Sequence, residues 1–292
     1  MLWLRAMRRR SIGFVSAVFL PLLAACDFGT LDDLSQDETP EGSEETTRQA
    51  LAVWNVYDKP EDSVRRAIAD LAGVVARAEE ASSERPLKVK LGDIGADELA
   101  GIGFSERNGR AAQGMLVAPT LDCTLDQVEK LVVAKNQSEL YPGIYDEYAR
   151  TFTTSVQDFL AARAPTVGWR TDYKASAIGN TYVANLTGGA RRIRGVAPDG
   201  KDVLMARTYL NEPAKFVTSG DAEFNQDYQI ELYWERAPGK VLHFYALWRE
   251  FRIASLTAET DLYVALVLGN LADFDVRTSK ICRESNPAPK FE

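Results

Sequence analysis

The sequence predicts an α+β protein: an antiparallel sheet packed on a long C-terminal helix, with an extra helix and strand ahead of it. Three observations carry this. Turn dipeptides at Gly179-Asn180, Asp199-Gly200 and Pro238-Gly239 separate runs of alternating or continuous apolar residues, as antiparallel hairpins require. Leu262, Val264, Val267, Leu268, Leu271 and Phe274 recur at helical spacing within 259–279. Val64, Ile68, Leu71, Val75 and Ala78 do the same near the start of the chain.

At the N-terminus, Arg5, Arg8, Arg9 and Arg10 precede a mostly apolar run over 11–25. The run is as long as the apolar part of a secretory signal, short of the ~20 residues of a spanning helix, and Pro21 interrupts it. It ends in Leu23-Ala24-Ala25-Cys26. This box resembles that of bacterial lipoproteins, whose cysteine is joined to diacylglycerol and becomes the first residue of the mature chain. The resemblance implies a signal peptide over 1–25, lipidation of Cys26 by palmitate-type chains, and a periplasm-facing body tethered in the cell envelope. A plain N-terminal membrane anchor is the alternative. Two or three acyl chains give a lasting hold where one gives a marginal one. Asp27 would resemble an inner-membrane retention signal in enterobacteria, and the choice of inner membrane, outer membrane or cell surface stays open.

Cleavage before Cys26 removes four arginines and no acids, lowering the formal charge from −8 by four to −12. A body this acidic is repelled by nucleic acid, which excludes a nucleic-acid partner. Arg191-Arg192 with Arg194 reads as a solvated strand end.

Residues 26–50 carry Asp32, Asp33, Asp37, Glu38, Glu41, Glu44 and Glu45 among small polar residues, the composition of a disordered acidic tether. Fully stretched it would span at most ~80 Å. A helix and strand segment follows over 51–110. Asp58, three residues before Glu61 and with Pro60 between, has capping-box spacing for a helix running to Ala81. Leu87-Lys88-Val89-Lys90-Leu91 alternates as a strand. Gly92, Gly95, Gly101 and Gly103 lack the lysine and spacing of a phosphate-binding loop.

The main α+β domain occupies 111–292. A strand over 114–119 leads to a helix capped by Thr124 and carrying Leu125, Val128, Leu131 and Val132. The stretch 144–162 takes no clear pattern. Trp169, Thr171, Tyr173 and Ala175 then alternate with Arg170, Asp172, Lys174 and Ser176. In the run over 228–235, Tyr228, Ile230, Leu232 and Trp234 face one way and Gln229, Glu231 and Glu235 the other, which predicts a half-buried strand. The run over 241–253 is apolar on both faces and predicts a central strand.

This order of strand, helix, long meander and last helix resembles the START-like (helix-grip) superfamily over 114–282. The resemblance implies a curved sheet wrapped about the last helix and an apolar cavity for lipids, sterols or polyketides. The stretch 144–162 and the segment 51–108 have no counterpart there, and a sheet packed on helices without a ligand is the competing reading.

With Cys26 lipidated, Cys123 and Cys282 remain as a pair in an oxidising compartment, which predicts a disulfide. Closing 159 positions is worth on the order of 5 kcal/mol at most in the chain-entropy picture. Two thiols so far apart match no zinc spacing, so no metal is expected. His243, the one histidine, sits in an apolar run and reads as a hydrogen-bonded core residue before a catalyst. There is no Gly-x-Ser-x-Gly elbow and no His-Glu-x-x-His helix. Asp146, Glu147, Asp221, Glu223 and Asp227 read as solvated loops.

Arg207 and Arg249 stand inside apolar strands. Pointing inward they would pair with Glu250, Glu231 or a ligand carboxylate; pointing outward they are surface residues. Together with Trp234 and His243 they are the candidate ligand-binding residues. The expectation is a membrane-anchored envelope lipoprotein that binds an apolar small molecule or lipid, with no catalytic residue and no cofactor. The alternative is a non-catalytic structural lipoprotein that holds another envelope protein.

Overall fold

The chain is described here by a computed structural model covering residues 42–81, 85–177, 179–217, 221–253, 256–257 and 260–284. The signal run, Cys26 and the first part of the tether lie outside the described residues.

The described residues open with three helices, α1 (Glu44–Asn55), α2 (Glu61–Asp70) and α3 (Ala72–Glu80), followed by β1 (Leu87–Leu91) and the short α4 (Ala96–Ala100). Next come β2 (Gln113–Ala118), β3 (Thr120–Leu121), α5 (Leu125–Val132), α6 (Gln137–Leu140), β4 (Glu147–Phe152) and α7 (Val156–Leu160). The meander runs through β5 (Thr166–Ala177), β6 (Asn180–Ile193), β7 (Val203–Leu210), β8 (Lys215–Phe216), β9 (Ala222–Ala237), β10 (Lys240–Ile253) and β11 (Leu256–Thr257). The last helix, α8, spans Asp261–Glu284.

Among the described residues all eleven strands belong to one sheet, ordered β1-β2-β10-β9-β7-β6-β5-β4, with β3 and β11 on β10 and β8 on β6. Every pairing is antiparallel. The expected helix-grip-like arrangement, a sheet packed on a long C-terminal helix, is therefore present. β10 lies between β2 and β9, as its two apolar faces require.

The sheet is covered on both sides. On the back, Tyr228, Ile230, Leu232 and Trp234 of β9 and Leu242, Phe244, Ala246 and Trp248 of β10 share one buried cluster with Trp54, Val64, Ile68, Leu71 and Val75 of α1–α3. On the front, α8 crosses the strands. Its first half places Tyr263, Val264, Val267 and Leu268 in one cluster with β2, β5, β6 and β10; its last turns place Phe274, Ile281 and Cys282 in another with α5 and α7. Cys123 and Cys282 form the expected disulfide, with Cα atoms 5.3 Å apart.

Several expectations are corrected. The tether does not reach residue 50. Ser43 caps α1 by accepting from the Thr46 amide, and Thr46, Gln49, Ala50, Val53 and Trp54 form a buried helical stripe. Asp58 caps nothing: the first position before α2 is Pro60, without a side-chain cap, and Asp58 pairs with Arg207 instead. The helix expected to run to Ala81 breaks into α2 and α3 at Leu71. The segment 51–110 joins the main sheet through β1, which pairs along its length with β2. The unassigned stretch 144–162 contains edge strand β4 and helix α7. The capping box expected at Thr124 is present, completed by Gln127.

Candidate functional site

Alternation decides which side chains of β9 and β10 meet α8. With Tyr228, Ile230, Leu232 and Trp234 turned to the back, Asp227, Gln229, Glu231 and Tyr233 must turn to the front. In β10 the same rule brings Val241, His243, Tyr245, Leu247 and Arg249 forward. A front so polar under a helix demands partners, and nearly all are found.

Arg249 donates Nε and an Nη to the two oxygens of Asp227, each at 2.9 Å, in a bidentate pair. Gln229 donates to the same carboxylate and accepts from the Tyr245 hydroxyl at 2.8 Å. His243 is fully buried between Asp275 of α8, 2.8 Å from Nδ1, and Glu231, 3.2 Å from Nε2. The Tyr233 hydroxyl also donates to Glu231. The His243 ring stacks on Tyr233 at 4.3 Å and on Tyr245 at 5.4 Å. Burial opposes its protonation, but the two carboxylates outweigh burial and raise its pKa to about 9. At neutral pH both ring nitrogens therefore donate, and the imidazolium bridges sheet and helix. Burial in turn holds the Asp275 carboxyl above its ordinary range, against the pull of His243.

Beside this polar row stands a run of aromatic rings. Tyr148, Tyr145, Tyr173, Tyr182, Phe224, Phe251 and Tyr263 follow one another with centroids 4.8–5.9 Å apart, from β4 to α8. Burial raises the phenols of Tyr145, Tyr173, Tyr182 and Tyr263. The Arg249 guanidinium acts against that rise at Tyr173, Tyr182 and Tyr263, so it lies among them.

Front-face residues of inner strands beneath a packed helix should be fully covered. Gln229, Glu231, Arg249, Tyr182 and Leu186 are not; all are half-buried, with 17% of the Glu231 side chain and 24% of that of Arg249 open. Tyr145 and Tyr148 on one side and Leu271 and Phe274 of α8 on the other are half-buried as well. These partly open side chains form a strip on the front of the sheet and on α8, polar along β9 and β10 and aromatic toward β4. Among the described residues no group of three His, Cys, Asp or Glu side chains is placed to hold a metal ion.

The structure brings two of the four candidate ligand-binding residues to the same face. His243 and Arg249 both lie on the front of the sheet, His243 fully buried, and Arg249 pairs with Asp227 and not with Glu250 or Glu231. Arg207 points to the back, paired with Asp58 and 4.3 Å from the Tyr57 ring centroid, where it fastens the α1–α2 connection to the sheet. Trp234 is also on the back, donating to Asp199 and covered by Arg236 at 4.0 Å. Neither lies on the front with His243 and Arg249, and Trp234 borders a cleft on the back. Arg191 and Arg192 are no solvated strand end either: Arg191 donates to the carbonyls of Tyr57 and Lys59, and Arg192 pairs with Asp126, Glu129 and Asp202.

Asp227 and Asp275 are the front-face residues that reading the sequence did not assign to the site, and Glu231 was placed only as a possible arginine partner. Asp275 had a signal: it lies four and seven residues beyond Leu271 and Leu268, on the buried stripe of α8. Two clefts lie elsewhere. One of about 390 Å³ runs between α2–α3 and Pro198, Trp234 and Arg236, and one of about 370 Å³ lies among Glu129, Phe159 and Arg192.

No family model and no curated protein matches the chain. Among solved structures it is similar to a START superfamily protein from Mycobacterium smegmatis, 10% identical, over 59% of this chain and 99% of that one, with a TM-score of 0.39. It is also similar to the lipid transfer and protein localization domain of human StarD13 (10% identical, 74% and 96% covered, TM-score 0.41). A third is the Zhui aromatase/cyclase from a Streptomyces species (11% identical, 61% and 98% covered, TM-score 0.35). Likeness this loose carries no argument about ligand or activity; the α+β class rests on the sheet and α8 themselves.

Proposed function

We propose that this chain is a binding protein of the cell envelope that holds a small, ring-bearing, largely apolar molecule between the front of its sheet and α8. The observation that carries the reading is the half-buried state of Gln229, Glu231, Arg249 and Tyr182 in strands that have neighbours on both sides and a helix above. The aromatic part of the strip suits flat rings, and its polar part suits a molecule with a few hydrogen-bonding groups over a bare acyl chain. A binding role also fits His243, both of whose nitrogens are engaged and whose ring is sandwiched, leaving it no free nitrogen to serve as a base. Recovery of the protein from its native membrane in mild detergent, followed by mass spectrometry of its extract, tests the reading. A ring-bearing compound at near-stoichiometric amount is expected; an extract holding only detergent and bulk phospholipid would remove it.

The same proposal places the body on the exported side, tied to a membrane through Cys26. A Cys123–Cys282 disulfide suits that compartment. Labelled palmitate should appear on the wild-type chain and vanish from Cys26→Ala; an unlabelled wild type would sink the anchor. The second reading, a non-catalytic protein that holds an envelope partner, has the cleft lined by Ala69, Ala72, Ala76 and Trp234 in its favour. Loss of partner capture on filling that cleft with Ala72→Trp would support it.

A further inference from the structure

Of the two clefts, the one of about 370 Å³ shares no residue with the strip on the front of the sheet. It is lined by Asp126, Glu129 and Lys130 of α5, by Phe159 and Leu160 of α7 with Ala162 just beyond, and by Arg192 and Arg194 at the end of β6. The volume is at the small end of the roughly 300–1,000 Å³ of ligand pockets.

The charges in this cleft are partnered, with two exceptions. Arg192 donates to Asp126 at 2.6 Å, to Glu129 at 2.8 Å and to Asp202 at 3.2 Å, which commits its guanidinium and holds α5 to β6. Lys130 and Arg194 are exposed and make no hydrogen bond or ion pair among the described residues. Arg194 is still near enough for its charge to act on the Glu129 carboxyl, whose side chain is only 7% open.

The rest of the lining is apolar. Phe159 is buried and Leu160 half-buried where α7 stops. The chain turns there through Ala162, at φ 57° the one non-glycine residue in the left-handed region among the described residues. The Ala162 amide donates to the Phe159 carbonyl, and those of Arg163 and Ala164 to the Asp158 carbonyl. These carbonyls at the end of α7 are thus spent inside the turn, and the wall that α7 gives the cleft is one of side-chain carbon.

We propose that this cleft binds a small amphipathic anion, a carboxylate or phosphate ester with a short apolar chain. Its charged oxygens accept from Lys130 and Arg194, and its chain lies on Phe159, Leu160 and Ala162. Donors that are already ionised make the stronger hydrogen bonds to such oxygens, and an arginine fork suits two of them at once. A cationic amphiphile would meet Lys130 and Arg194 with like charge, and the acids that would receive it already accept from Arg192. A neutral one would leave both free cations unused.

Calorimetric titration of the full chain with hexyl phosphate, hexanol, hexylamine and inorganic phosphate tests the sign and the class. Hexyl phosphate is expected to bind about tenfold more tightly than any of the others, because it alone gains both the charge-assisted hydrogen bonds and the burial of a chain. Lys130→Gln and Arg194→Gln change exposed side chains and should each weaken it about fivefold with the thermal midpoint unchanged. Lys135→Gln, at an exposed lysine outside the cleft, should leave it as it was. Tighter binding of hexylamine would mean that the three carboxylates around Arg192 set the sign, and would overturn the site. So would hexyl phosphate binding that is absent, that survives both cleft variants, or that falls equally with Lys135→Gln. Inorganic phosphate bound as tightly as hexyl phosphate would overturn the amphipathic class, and a short-chain phosphatidylglycerol bound more tightly would overturn a small ester in favour of a lipid headgroup.

Discussion

Asp227 and Arg249 sit on neighbouring strands in direct register, so their forked contact locks β9 to β10 at the point where the aromatic run passes over it. Removing one member leaves a charge stranded. Asp227→Ala is expected to cost about 3 kcal/mol, read as a lower urea midpoint, because Arg249 then lies among phenols without its counter-ion. No change in midpoint would contradict the pairing. His243 gives a pH dependence whose sign is fixed by its raised pKa, about 9 in the fold against 6.5 for the free side chain. Its contribution is complete below pH 6.5 and is lost as the pH rises through 9. The urea midpoint should therefore fall between those values, and His243→Gln should flatten the profile; a wild-type midpoint that holds steady over that window refutes the bridge. At this scale the sequence was only partly legible. Alternation placed Gln229 and Glu231 on the face opposite Trp234, but it cannot say that a helix from the far end of the chain covers that face. Asp227 was read with the loop acids because the strand was begun at Tyr228, six residues late.

Secondary structure was more open to reading, because its causes are local. Three hairpins were visible where a turn needs a left-handed residue, as at Gly200 and Gly239, with φ of 76° and 70°, while the β4–β5 and β7–β9 connections were not. The box of Thr124 and Gln127 marked the start of α5. α1 escaped notice because its first turns share the acidic, small-residue composition of the stretch before them; only the positions of Thr46, Gln49, Ala50 and Val53 separate a helix from a tether. Ser43→Ala tests that helix directly. Loss of the cap should lower stability by about 1 kcal/mol. If residues 43–50 behaved as a tether, the substitution would leave the thermal midpoint where it was.

Across the whole molecule, what could not be read was long range. The pairing of β1 with β2, and the packing of α1–α3 on the back of the sheet, join the first quarter of the chain to its last third, and neither leaves a trace in a local pattern. The disulfide is the exception, because two thiols left over in one chain have only each other. Its reduction should destabilise the fold by about 2–4 kcal/mol, below the chain-entropy ceiling. A thermal midpoint indifferent to reductant would show that the covalent link adds nothing to the hydrogen bonds already at that end, from Gln127 to the Cys282 carbonyl and from the Asp122 amide to Ser279.

Those same contacts make α8 a cantilever. Its last turn is riveted by Cys123, its middle is pegged at Asp275, and its first turn, about 32 Å from the rivet, is moored chiefly by greasy contacts and the Lys90–Asp261 ion pair. A guest entering beneath the beam would lift it from the moored end.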